Sequence, residues 1–268
     1  TGNIDYKSIE KKISKKTKAI IVTHLCGHPC EMDKIIKIAK KNKLYLIEDC
    51  SHAHGSTYKG KKVGSFGDIG CFSLDNNKIL GAGEGGILVT NKKFFFERAM
   101  LTSDFASRIQ NEIKIKSLKK YNDTGLGFKH RIHPVAAVIA NNELKKLNFY
   151  IRKRNKTLSL FSKEIKKIPG LSPPKTRKSV NRGAYFGYRP FFNKKELNDI
   201  SIEKFIKILR AENMEVRLAG NKPLHLLPLF SNKKNGPKFL NRKDKNFRNY
   251  KEGDLPNSVK FYYTTLSL

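Results

Sequence analysis

Acidic residues are scarce in this chain: 23 Asp plus Glu stand against 55 Lys plus Arg over 268 residues, leaving a formal net charge of +32. An excess of that size would suit a phosphate-bearing partner, either nucleic acid or a phosphorylated small molecule. The lysines are spread along the whole chain, however, with no basic stripe interleaved with aromatics and no helix-turn-helix, finger or RNA-binding signature. Nucleic-acid binding is therefore not expected, and the charge reads as a lysine-rich surface that can still steer an anionic substrate. Long apolar runs are missing too. The longest, such as Ala19 to Val22 and Val135 to Ala140, are core-sized and far short of the roughly 20 residues that cross a membrane, so no membrane association is expected. The opening Thr1-Gly2-Asn3-Ile4-Asp5 is polar and turn-like rather than a signal peptide, which makes a cytoplasmic location the expectation. Cys26, Cys30, Cys50 and Cys71 are too few for a disulfide framework in a chain this long. His24, Cys26, His28 and Cys30 alternate along one stretch, but no second ligand pair follows at finger spacing, so no metal is expected. Internal repeats and low-complexity tracts are absent.

What is present is an alternation of strand and helix patterns. Ala19 to Leu25 is a β-branched run that predicts a buried strand. After a break at Gly27-His28-Pro29, the spacing of Met32, Ile35, Ile36 and Ala39 predicts a helix over Glu31 to Asn42. Leu44 to Ile47 predicts the next strand, ending in Glu48-Asp49; Ile69 to Leu74 and Gly86 to Thr90 predict two more, followed by a helix from about Lys92 to Thr102. That order marks an α/β domain with a mostly parallel sheet, in which ligands gather at the carboxyl ends of strands. Asp49 and the segment after Leu74 both fall at such ends. Residues 103 to 133 read as a long irregular connection. Pro134 to about Lys167 reads as helix, Ala184 to Phe192 as strand, and Ser201 to Ala211 as a helix capped by Ser201. A large domain over residues 1–150 and a smaller α+β domain over 151–268 is the economical division.

One constellation carries chemistry. In Phe72-Ser73-Leu74-Asp75-Asn76-Asn77-Lys78, a serine leaves the end of a strand and a lysine follows five residues on, ahead of the glycine-rich Gly81-Ala82-Gly83-Glu84-Gly85-Gly86. Glycine permits close backbone approach; a hydroxyl with nearby amides suits a phosphate, and a lysine beside it suits a carbonyl. Most lysines are merely solvated, and it is the setting that singles out Lys78. Asp49 offers a carboxylate of the kind that keeps a pyridinium nitrogen protonated, although an acidic pair at a strand end also serves as a turn former or helix cap. Ser51-His52-Ala53-His54-Gly55 adds two imidazoles next to it.

These residues, from Glu48-Asp49 through His54-Gly55, Tyr58 to Asp68, Cys71-Phe72-Ser73, Lys78 and Glu84-Gly85-Gly86, closely resemble the DegT/StrS family of sugar aminotransferases, and the resemblance runs from Asn3-Ile4-Asp5 to Leu268. It implies the fold of pyridoxal-phosphate transferases of type I, truncated here at both ends, with a cofactor-binding large domain lacking its N-terminal part and a small domain lacking its last helix. It implies a homodimer with shared active sites and transfer of an amino group from glutamate or glutamine to a keto sugar. By the same resemblance Lys78 forms the Schiff base to pyridoxal phosphate and acts as acid/base, Asp49 pairs with the pyridine nitrogen, His52 lies near the phenolic oxygen, and Ser73 holds the phosphate. Gly127-Phe128-Lys129-His130-Arg131 matches a loop that reaches into the partner's site, with Lys129 in place of a frequent asparagine, where a cation also serves a phosphate. Arg131 and His225, the latter in Pro223-Leu224-His225, match substrate-side positions. Ser103-Asp104 stands where relatives often carry Gly-His. The alternatives are a dehydratase of the same family, which has histidine in place of the lysine, and a non-catalytic chain that keeps the fold.

Overall fold

The computed structural model describes residues 1–104, 107–183, 185–218, 220–231 and 250–268. It divides into two compact units: residues 3–157 with 176–186 form the first, and 158–175 with 187–268 the second, with Thr1 and Gly2 assigned to the first and second respectively.

The first unit is built on a four-stranded sheet of β1 (Ala19–Thr23), β2 (Tyr45–Asp49), β3 (Ile69–Ser73) and β4 (Gly86–Val89), in that spatial order. β1, β2 and β3 run parallel and β4 pairs antiparallel with β3, so the mostly parallel expectation holds for two of the three pairings. The register sets Thr23, Asp49 and Cys71 side by side at the carboxyl end. Between β1 and β2 runs α1 (Met32–Lys41), whose Met32, Ile35, Ile38 and Ala39 pack with Ile20, Val22 and Leu46. The period of about 3.6 residues puts those four on one face. Only alternate residues of β1 are buried, and Ile21 is 62% exposed. That corrects the reading of a wholly buried strand: β1 is an outer strand of the described sheet and covers one face only. α2 (Lys93–Ser103) follows β4.

The connection after α2 has more order than its polarity suggested. Short helices at Ser107–Glu112 and Lys116–Lys119 bring Ile109, Ile113 and Leu118 against Met100 and Leu101 in a small core of their own. α3 (Pro134–Ile165) is one continuous helix. Its Ala140, Leu147 and Ile151 lie on one stripe and seat Leu74, Ile79, Leu80 and Ala82 from the segment that carries Lys78.

In the second unit, α4 (Ile202–Ala211) starts at Ser201, whose hydroxyl accepts the Lys204 amide at 3.2 Å. It packs Ile202 and Ile206 against Phe192, Val216 and Leu266. The strand expected over 184 to 192 is confined to Phe191–Phe192, paired antiparallel with Leu171–Ser172; Ala184 lies outside the described residues. Among the described residues no helix is long and apolar enough to cross a membrane.

Candidate functional site

Asp49 ends β2 half-buried. The Thr23 hydroxyl donates to its Oδ2 at 3.2 Å and the Ser51 amide to its Oδ1 at 3.0 Å. Burial alone would push its carboxyl up, but the Ser51 and Thr23 donors and nearby His52 outweigh that and hold it below its usual value. The group stays ionised at neutral pH with lone-pair capacity to spare on both oxygens.

Glu48, one residue earlier, points to the opposite face because successive strand residues alternate. It is fully buried, and its carboxylate collects the amides of Gly64, Phe66 and Gly67 at 2.9, 2.7 and 2.7 Å. His24, also fully buried, accepts the Cys30 amide at Nδ1 (3.0 Å), so its proton is on Nε2, which donates to Glu48 at 3.1 Å. His24, Glu48 and Cys50 are the only group with metal-like composition among the described residues. Both imidazole nitrogens are already in hydrogen bonds and the carboxylate is saturated with donors, while burial pushes the Cys50 thiol up, away from the thiolate a metal needs. The cluster is a hydrogen-bonded brace beneath Asp49.

A tight turn follows, with the Ala53 amide on Cys50 O at 2.8 Å and the Ser56 amide on Ala53 O at 3.0 Å. It presents two imidazoles. His54 is buried; a hydrogen bond to the Ser73 backbone only partly offsets that burial, and its pKa lies below the usual value, leaving a neutral ring whose Nε2 has no partner. His52 stacks on Phe186, with ring centroids 3.9 Å apart and planes 17° from parallel.

β3 delivers Ser73, whose Oγ accepts the Asp75 amide at 3.2 Å. The chain then folds back, with the Lys78 amide on Asp75 O at 2.9 Å and the Ala82 amide on Leu74 O at 2.9 Å. A side chain at Gly81 would put its Cβ 2.9 Å from Asn76 O, which is why glycine closes this loop. Lys78 Nζ lies 4.2 Å from the centroid of the Phe186 ring. Lys78 also lines a cavity of about 330 Å³ with Glu143, Tyr150 and Lys153 of α3.

The structure thus gathers Asp49, His52, Ser73 and Lys78 around the carboxyl ends of β2 and β3. Lys129 and Arg131 lie on an exposed loop. Arg131 faces Asp104 at 3.8 Å and lines a different cavity, of about 800 Å³, with Cys71, Arg98 and His130. His225 is buried in the second unit, on the turn Leu224–Leu226. The sequence reading missed Phe186, which meets both His52 and Lys78, and the Glu48 brace; Phe186 carries no local signal beyond lying in an aromatic run.

Comparison with known proteins bears on this arrangement. The profile of the DegT/DnrJ/EryC1/StrS aminotransferase family matches residues 1–268. An uncharacterised protein of Methanocaldococcus jannaschii is 34% identical over 276 residues, covering 100% of this chain and 66% of its own length. The GDP-perosamine synthase of Escherichia coli O157:H7 is 36% identical over 168 residues, 63% of this chain and 44% of that protein. The crystal structure of DesV from S. venezuelae in complex with a ketimine intermediate superposes with a TM-score of 0.79 at 24% identity, over 99% of this chain and 63% of that one. The chain therefore spans at most about two thirds of each of these relatives.

Proposed function

Because the chain belongs to the DegT/DnrJ/EryC1/StrS aminotransferase family, we propose that it carries the cofactor-binding machinery of a pyridoxal-phosphate-dependent enzyme that moves an amino group from glutamate or glutamine to a nucleotide-linked keto sugar. The observation that carries this reading is the convergence of the Lys78 amine and the His52 ring on Phe186, with the ionised Asp49 at the neighbouring strand end.

The residues present suit the cofactor. Asp49 has the charge and the lone pairs that a protonated ring nitrogen needs. His54 Nε2 is an unpartnered polar atom buried in the turn beside Ser73. Pyridoxal phosphate, when bound, supplies an aldehyde that an amine captures and a ring that stores an electron pair. Lys78 would hold the group through its amine and, when displaced by the donor's amine, carry the proton. Asp49 would keep the ring nitrogen protonated, His52 would face the phenolic oxygen, and the Ser73 hydroxyl would bind the phosphate. In a homodimer, Lys129 of a second copy would add a cation to that phosphate, and Arg131 and His225 would meet the substrate.

Mixing the protein with pyridoxal phosphate, reducing with borohydride and sequencing peptides by mass spectrometry tests this directly. Label concentrated on Lys78, together with glutamate- or glutamine-dependent amination of a nucleotide-linked keto sugar, is the expected result. Label scattered over surface lysines with none at position 78 would sink the proposal.

A further inference from the structure

We propose that Phe186 is a positioning residue for the site, a flat platform that fixes the His52 ring and the Lys78 amine together before any cofactor arrives. The inference rests on the reading of Lys78 as the cofactor's amine. A lysine left to itself ranges over many rotamers, and a ring face attracts an ammonium group; holding the amine in one place makes capture of a carbonyl less dependent on chance orientation.

The backbone around Phe186 is built to put it there. Residues 176–186 form a strap that belongs to the first unit although its chain neighbours on both sides belong to the second. The strap pairs Val180 and Asn181 with Tyr58 and Thr57, and the Lys59 amide donates to Ser179 O at 2.7 Å. Ser56 Oγ reaches Arg182 O at 2.8 Å and Gly27 O at 2.9 Å from the same buried position. At Gly183 a Cβ would fall 2.5 Å from both His54 O and Ser56 N, so the strap presses against the turn that presents His52. Tyr185 then adopts φ of 47°, a left-handed conformation that a bulky residue takes only where its surroundings enforce it. Phe186 is the next residue. Strain placed immediately before an aromatic side chain that meets both nitrogen groups is the mark of a placed residue.

The test compares Phe186→Leu with Phe186→Tyr. In the cofactor-free protein, ring-current shifts are read on the His52 ring protons and on Lys78 carrying ¹³C-methyl labels. Separately, the rate at which Lys78 captures pyridoxal phosphate is followed by borohydride quenching. The leucine variant is expected to lose both ring-current shifts and to slow capture by about fivefold, the scale of the rotamer freedom that a lysine side chain regains when nothing holds its amine, deprotonated to solvent, in one place. The tyrosine variant should keep both within about twofold of wild type. Unchanged resonances in the leucine variant, or a tyrosine variant that falls as far as leucine, would overturn the inference, the second because it leaves Phe186 as mere apolar filling. Should wild-type Lys78 capture nothing, the functional proposal fails by itself, and the ring-current comparison still decides whether Phe186 places the two side chains.

Discussion

His24 and Glu48 meet 3.1 Å apart with neither side chain exposed to solvent, one residue along the strand from Asp49. Removing the carboxylate leaves the buried Nε2–H of the neutral His24 ring without its acceptor, at a cost of about 1–3 kcal/mol. Glu48→Ala is therefore expected to lower unfolding free energy by at least about that amount in urea titrations, and to free the loop from Gly64 to Gly67 that the carboxylate ties down. Burial opposes ionisation of Glu48, yet its donors win and its pKa is lowered on folding. The unfolded chain then binds the proton first, so the stabilisation is complete above the ordinary carboxylate range and is lost as pH falls through the folded value. Stability measured against pH should show this acid loss in the wild type and a flatter profile in the variant.

His28 adds a second acid-sensitive element with a higher onset. The Arg177 amide donates to its Nε2 at 3.4 Å and its Nδ1 bonds Pro29 O at 3.0 Å, so the ring is held neutral. Burial first, then the charges of Arg182 and Arg177, push its pKa down from 6.5 to about 3. The unfolded state takes the proton below 6.5 and the folded state does not until about 3. Stability from this group is full above the upper value and falls between the two, by at most about 1.4 kcal/mol per pH unit. Denaturation midpoints measured from pH 8 to 4 should decline in the wild type, and the His28→Gln variant should decline less steeply from a lower start.

The parts of this molecule that were legible in sequence are those whose signal is local. α1 announces itself through Met32, Ile35 and Ala39 on one face, and Ser201 caps α4 as its residue type requires. Asp49 could be placed at a strand's carboxyl end because the apolar run before it stops there. The strap was not legible: Val180 and Asn181 pair with Tyr58 and Thr57 far back in the chain, and a two-residue ladder leaves no period to read. Phe186 therefore gave no hint of meeting Lys78. Nor did Glu48 separate itself from Asp49, since only the strand's alternation and the amides of Gly64, Phe66 and Gly67 distinguish a structural acid from an open one. The small core around Leu101 and Ile113 was hidden by the polar residues between its members.

Gly27 is where the strap and the His52 turn leave no room. Its φ is +74°, and a Cβ there would lie 2.5 Å from Arg182 O, 3.1 Å from His52 O and 3.4 Å from Tyr185 N. All three contacts are backbone, so none can swing aside. Gly27→Ala should cost more than about 1 kcal/mol for the conformation alone, with the clash added, and should show as a lowered thermal midpoint. Because the displaced atoms are those that carry Phe186 and His52, capture of pyridoxal phosphate at Lys78 should also slow. A variant that loses stability while capture is unchanged would separate the strap's fold from the site.

Asp49 and Lys78 make opposite demands on a variant. Lys78→Ala deletes the only amine at the Phe186 ring among the described contacts, so covalent capture of pyridoxal phosphate should vanish while the fold, to which its side chain contributes little, keeps its thermal midpoint. Asp49→Asn keeps the shape and a carbonyl able to accept the Ser51 amide now 3.0 Å away, but removes the charge. Capture at Lys78 should survive in that variant. Amino transfer should fall by a hundredfold or more, roughly the scale seen when one preorganised electrostatic partner is removed from a reacting group, because an uncharged partner no longer favours a protonated ring nitrogen. Full transfer activity in Asp49→Asn would remove the carboxylate from the chemistry and return it to the role of a turn former, which its bonds to Ser51 and Thr23 are sufficient to explain.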